Sequence, residues 1–346
     1  MLTRDRLQNL LDTFPGLTIA LVGDLFLDRY LEIDPGDREI SIETGLEAYQ
    51  VARVRNSPGA LGTVMNNLAA LGIGCLKPVT VLGDDGHAYD LLQQLSGLPV
   101  DQAHLVQDAN RLTPTYTKPL KLDQTGIANE LNRLDIRPRE PMSSETSRRL
   151  CRELRSVFEA SDGLIVLDQV VEPNWGVVNQ HVRDVVCELA DREPKKLVFV
   201  DSRAHLDLFS RGILKGNRSE LLAAAGAAND SSPRDAARLL ALRTDDPVFG
   251  TIGDEGILIA QPAGDTELAD AVTVDGPIDI VGAGDSATSG IVAALLSGAK
   301  LLEAAQVGNL VAAVTIQQLG TTGTATPSQV LGQWDGVHRQ STRPAT

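Results

Sequence analysis

The chain has 346 residues, 42% hydrophobic and 22% charged, which suits one large α/β domain with an appendage, or two domains, and argues against disorder. Thirty-one Lys and Arg stand against 46 Asp and Glu, a formal charge of −15. That balance argues against nucleic acid or an acidic membrane as the main partner, since either wants a basic patch.

The start, Met1-Leu-Thr-Arg-Asp-Arg6, lacks the basic and apolar regions of a signal peptide. No apolar run reaches the roughly 18 residues of a membrane span. Three scattered cysteines (Cys75, Cys151, Cys187) form neither a disulfide framework nor a zinc cluster and fit a reducing cytosol. A cytoplasmic protein is expected.

In chain order, Leu17–Gly23 predicts a buried strand. Tyr30–Arg55 breaks from it with Thr, Tyr, Val and charges in rough alternation. Gly62–Leu71 predicts a helix and Leu76–Leu82 the next strand. Thr113–Leu134 alternates again, and with Tyr30–Arg55 it predicts antiparallel strands outside the main sheet, a small β lid. A helix over Glu145–Ala160, a strand over Gly163–Asp168 and a helix over Asn174–Arg192 follow. Strands Lys196–Asp201 and Val248–Ile252, a strand-like Ala271–Val274 and a helix at Ser289–Gly298 complete the pattern. The segment from His338 to Thr346 is expected to be a frayed tail. This alternation predicts βαβ units with a mostly parallel sheet. Ligands of such sheets bind beyond the carboxyl ends of the strands, which singles out Asp168, Asp201 and Thr251.

The most specific segment is Asp279-Ile-Val-Gly-Ala-Gly-Asp-Ser-Ala-Thr-Ser-Gly290. Gly282 and Gly284 permit a tight turn that aims successive N–H groups at one point, where the following helix also puts its positive end. An acid there, Asp285, would repel a merely bound anion. It makes sense as a general base for phosphoryl transfer, or as a helix cap, and the local pattern leaves both open. No Gly-Lys dipeptide occurs, so there is no Walker A loop, and HExxH and GxSxG are also missing.

Gly282-Ala-Gly-Asp285 in this setting resembles the C-terminal signature of the ribokinase-like (PfkB) carbohydrate kinases. Five further matches come in the family's order: Gly23-Asp-Leu-Phe-Leu-Asp28, Pro58-Gly-Ala-Leu-Gly-Thr63, Gly83-Asp-Asp-Gly86, Asn217-Arg-Ser-Glu220 and Gly320-Thr-Thr-Gly323. They span roughly residues 17 to 327. The branch most resembled is that of the heptose-7-phosphate kinases, on Asp24-Leu-Phe-Leu-Asp-Arg-Tyr30, Ile40-Ser-Ile-Glu43 and Arg133-Leu-Asp135. The nucleotidyltransferase domain of bifunctional members is not expected, since the chain ends early and has no His-x-x-His pair.

The resemblance implies a three-layer α/β/α sandwich over residues 1–330, lid segments at about 30–56 and 113–135, and a tail at 331–346. It implies ATP-dependent phosphorylation of a sugar or sugar-phosphate hydroxyl, with Mg²⁺ and a possible monovalent cation. Asp285 would be the base, with the Gly282, Ala283 and Gly284 N–H groups holding transition-state oxygens. Asn217 and Glu220 would hold magnesium and its waters. Thr251, Gly253, Gly256 and Asn309 would lie on the nucleotide side. Asp24, Asp28, Gly59, Thr63 and Asp168 would lie on the sugar side, Asp24 as a sugar contact or a turn cap. A homodimer through the lid is expected.

Several residues depart from the family pattern. The sugar-contacting Asn is Thr63, a motif glycine is Ala60, the Thr before Gly282 is Val281, and Asp-Pro-Lys reads Asp201-Ser-Arg203. Glu39 replaces an Arg and suits an anionic sugar phosphate poorly. These changes keep two alternatives open: a nucleoside or other small-alcohol kinase, and a degenerate member that only binds ligand.

Overall fold

The computed structural model describes residues 2–122, 128–320 and 322–341. Helix α1 (Arg4–Thr13) and strand β1 (Thr18–Gly23) lead into a long hairpin, β2 (Leu25–Ile40) and β3 (Glu47–Ala60). Next come α2 (Leu61–Ala70), β4 (Cys75–Val79), β5 (Val81–Leu82), α3 (Gly86–Leu95), β6 (Val106–Gln107), β7 (Thr115–Leu122), β8 (Ala128–Glu130) and β9 (Leu134–Ile136). The middle of the chain forms α4 (Ser144–Glu159), β10 (Gly163–Asp168), α5 (Gln180–Arg192), β11 (Leu197–Ser202), β12 (Ile213–Asn217), α6 (Arg218–Ala224) and α7 (Pro233–Thr244). Strands β13 (Val248–Thr251), β14 (Gly256–Ala260) and β15 (Thr266–Asp270) precede α8 (Ala283–Leu296), α9 (Leu301–Thr315) and α10 (Pro327–Ser341).

Eight strands form one sheet in the order β15-β14-β13-β12-β11-β10-β1-β4, all running the same way except β14, which is antiparallel to both its neighbours. The continuous apolar runs arise because both faces are covered. Ile19, Leu21, Ile165, Leu167 and Phe199 pack into one core with α1, α2, α3, α8, α9 and α10. Their neighbours Ala20, Val22, Leu164, Val166 and Val200 pack into a second core with α4, α5, α6 and α7. The result is the expected α/β/α sandwich. From β1 the chain steps to β4 on one side and later to β10 on the other, so its winding reverses at β1. That places the crevice for ligands beyond the ends of β1 and β10.

A second, five-stranded sheet holds β3-β2-β7-β8, with β9 also on β7. The alternating segments are strands as expected, but longer (25–60 rather than 30–56) and not wholly antiparallel, since β2 and β7 run parallel. Residues 123–127 of the segment 113–135 lie outside the described residues.

Other expectations need correction. The strand over Leu76–Leu82 breaks at Thr80, whose hydroxyl donates to the Gly23 carbonyl (2.7 Å), and β5 pairs with β6 instead. The helix expected from Asn174 begins at Gln180: Asn179 caps it by accepting from the Val182 N–H, while Asn174 itself has φ +63°. Ala271–Val274 is irregular, and the edge strand lies just before it at Thr266–Asp270. The helix expected from Ser289 starts six residues earlier, at Ala283. Residues 331–341 are no tail but the body of α10, with Trp334 packed against the core and Asp335 paired to Arg4 at 2.9 Å.

Candidate active site

The glycine turn before α8 is built as its composition demands. Gly282 takes φ +83°, a conformation that costs a side-chain-bearing residue, and it opens the helix with no side-chain cap. Asp285 therefore stands in the first turn and caps nothing. The Ala283 N–H already donates to the Ile280 carbonyl (3.2 Å), which leaves Gly284 and Asp285 to supply the first-turn donors. Of the three N–H groups expected to hold an anion, that of Ala283 is thus the one already engaged.

Asp285 is partly shielded from solvent, and burial pushes its carboxyl up to about 7. The neighbouring Asp201 and Glu220 push the same way, while Lys215 and Arg203 oppose them. A carboxyl near 7 is charged for much of the time at neutral pH and still basic enough to take a proton.

The sugar-side candidates divide. Thr63 is buried in the first turn of α2, and a Cβ on Gly282 would lie 3.5 Å from its methyl, so the two helix starts meet there. Asp28 lies in β2, salt-bridged to Lys118 of β7 at 2.8 Å. Gly59 is the residue that leaves room for it, since a Cβ there would sit 2.5 Å from the Asp28 carboxylate. Lys118 also donates to the Tyr30 hydroxyl (3.2 Å), and the Arg55 guanidinium covers the Tyr30 ring at 4.1 Å.

Asp24 and Asp168 are buried within the protein's own bonding. Asp24 accepts peptide N–H groups from Gln169 (2.9 Å), Val170 (3.1 Å) and Val177 (2.7 Å), so both its oxygens are engaged. Its burial nevertheless pushes the carboxyl up to about 6, Asp168 adding to the effect. Asp168 accepts from the Ser202 hydroxyl (2.9 Å) and pairs with the His205 ring (3.1 Å), which raises the His205 pKa.

Asn217 ends β12 and caps α6: its side chain accepts the Glu220 N–H (3.0 Å), and Glu220 accepts the Asn217 N–H (2.7 Å). This reciprocal capping box engages one oxygen of each side chain. Burial raises the Glu220 pKa against the lowering effect of that bond. Thr251 lies beside Asn217 in the sheet register, and Gly253 opens the next turn with φ +69°. Gly256 and Asn309 are bound into the scaffold. A Cβ on Gly256 would fall 2.1 Å from the Ala269 carbonyl, and the Asn309 amide donates to the Ala269 and Asp270 carbonyls, both at 2.9 Å.

Sequence reasoning passed over Lys215. Its ammonium is buried at the end of β12, 2.8 Å from Asp201, under the first turn of α8. A lysine directly after the apolar Ile213-Leu214, in the strand Ile213-Leu-Lys-Gly-Asn217, was the available signal. Tyr116 of β7 was also missed. The Arg203 charge, just after β11, acts on both Tyr116 and Asp285. A recess of about 800 Å³ lies at the opposite end of the strands, but its Arg211 is already paired with Asp191 and Asp245.

A family model described as the pfkB family carbohydrate kinases matches residues 30–329. The chain belongs to that family. It is a sugar kinase with a ribokinase-like fold. A relative from Trichlorobacter lovleyi, named bifunctional protein HldE, is 30% identical over 98% of this chain. The chain spans about two thirds (67%) of that relative's length. Arabidopsis thaliana ribokinase, solved with ribose and ATP, superposes with a TM-score of 0.66 at 18% identity, covering 92% of this chain and 98% of that one. Escherichia coli phosphofructokinase-2, solved with fructose-6-phosphate, gives 0.68 at 17% identity, covering 93% and 100%. No helix among the described residues is long and apolar enough to cross a membrane.

Proposed function

We propose that this kinase transfers the terminal phosphoryl group of ATP to a hydroxyl of a sugar phosphate, in the manner of the heptose-7-phosphate kinases. Asp285 takes the hydroxyl proton, the freed oxygen bonds to the terminal phosphorus, and the bond to the bridging oxygen of ADP breaks. Asp285 then returns the proton to solvent. The Gly284 and Asp285 N–H groups face the charge that gathers on the transferred oxygens. The observation that carries this reading is the setting of Asp285: a carboxyl raised to about 7 in the uncapped first turn of a helix.

The anionic acceptor rests on charge. Arg203 is exposed and enters no ion pair among the described residues. Glu39, a residue type that suits an anion poorly, lies on the exposed part of the hairpin, bonded to Gln50 at 3.0 Å.

Among the described residues no three His, Cys, Asp or Glu side chains converge as a metal cage. A magnesium ion held chiefly by ATP and water still fits. Asp201 raises the proton affinity of both Glu220 and Asp285, and Glu220 adds to that of Asp285, a concentration of negative charge that favours a cation. Asn217 and Glu220 would hold its water shell. Bound magnesium would neutralise charge between the phosphates.

An ADP-release assay with Mg-ATP over sugar phosphates, free sugars and nucleosides tests the proposal. Turnover is expected on a sugar phosphate, with kcat/KM rising as pH passes upward through about 7, where Asp285 loses its proton. ATP binding without turnover on any acceptor would leave a ligand-binding protein instead.

Two copies are proposed to meet through the hairpin, where Ile40, Ile42, Leu46, Tyr49 and Val51 are exposed. Light scattering should give a dimer mass that falls to that of a monomer in the Ile42→Lys, Val51→Lys double variant. A monomeric parent would refute this.

A further inference from the structure

Lys215 is the buried charge for which general base, anion turn and magnesium shell have no use. It is 4% exposed, as is its partner Asp201, and Thr288 is fully buried. One oxygen of Asp201 takes both the Lys215 ammonium and the Thr288 hydroxyl, each at 2.8 Å. Thr288 lies one helical turn beyond Gly284 and Asp285, so this shared oxygen ties the ends of β11 and β12 to the start of α8. The ammonium also touches that start directly. A Cβ on Gly284 would stand 3.2 Å from the nitrogen, so the missing side chain is what lets lysine and helix approach.

Such a pair is an expensive way to hold a core together, since desolvation of both charges offsets most of their attraction. Its place suggests another use. The charged groups acting on Asp285 from the packed elements are Asp201 and Arg203 at the end of β11, Lys215 on β12 and Glu220 on α6. Two of the four are negative and two positive, and of the positive pair only Lys215 is buried.

We propose that Lys215 is a positioning residue for Asp285: through Asp201 and Thr288 it fixes the first turn of α8, and it supplies a buried positive charge behind the base. This rests on the kinase reading of the site. Part of it can be tested without turnover.

The test compares the wild-type chain with Lys215→Met and with an Asp201→Asn, Lys215→Met double variant, which removes the orphaned carboxylate while keeping an acceptor for Thr288. In the double variant kcat should fall by about thirtyfold or more with KM for ATP within about threefold. Methionine alone is expected to lose thermal stability, the double variant to regain most of it and stay slow. Carbon-13 aspartate spectra, with the Asp285→Asn spectrum identifying the signal, should show the Asp285 carboxyl titrating at a higher pH in Lys215→Met, which removes the opposing positive charge alone. A double variant with kcat within threefold of wild type, or an Asp285 titration unmoved in Lys215→Met, would overturn the proposal. Absence of ADP release from the wild type would instead defeat the kinase reading, and the carboxyl titration would still decide whether Lys215 acts on Asp285.

Discussion

Asp285→Asn is expected to lower kcat about a thousandfold, leave ATP affinity within a few-fold, and make the protein more stable at pH 8. The loss of rate follows from removing the base proposed to take the hydroxyl proton. The gain in stability follows from the cost of burying it. In the folded chain the carboxyl keeps its proton up to about pH 7, whereas in the unfolded chain it gives it up near 3.8. The folded state therefore loses stability as pH rises from about 4 to 7 and carries the whole penalty above that. Asparagine carries none. The gain should be on the order of 2 kcal/mol at pH 8, allowing for partial access to water, and should vanish below pH 4. Isothermal titration with ATP, turnover, and melting at pH 5 and pH 8 read the three effects. A variant that kept a tenth of the wild-type rate would remove Asp285 from the chemistry.

Asp24→Ala is expected to cost about 3 kcal/mol or more in urea unfolding. Three buried peptide N–H groups, of Gln169, Val170 and Val177, would lose their acceptor together, and each such loss costs roughly 1–3 kcal/mol before any relaxation. Asp24→Asn should cost less, because its amide keeps one oxygen to accept with. The prediction separates the two roles open for this residue. If alanine left stability unchanged and raised KM for the acceptor, Asp24 would be a sugar contact. If stability falls first, it is the clasp of the loop from 169 to 177.

The central strands could be read directly because burial on both faces leaves no polar alternation to confuse. Ile19 and Ala20 lie in opposite cores, yet both had to be apolar. The second sheet was legible as strands but not in direction, since alternation says which face a residue takes and nothing about its neighbour's polarity. Ala271–Val274 has the β-branched composition of a strand, and only the sheet could reveal that its place was taken by Thr266–Asp270. The start of α8 was hidden because Gly282 and Gly284 look like loop, although the second is helical. Asn217 and Glu220 show the opposite difficulty: one spacing signals both a capping box and a magnesium pair, and the fold displays the first. Lys215 could not be placed without its partner, which is distant in sequence and adjacent only across β11 and β12.

The roots of the β2–β3 hairpin are clipped together, the Leu61 N–H donating to the Asp24 carbonyl at 3.0 Å. The chain thus leaves the sandwich and re-enters it at almost one point, closing the excursion like a drawstring. A hairpin anchored in this way is a cassette: its far end can lengthen, shorten or be exchanged for that of another sugar kinase without stretching the strands beneath. Changes at that far end can then leave β1 and α2 in place.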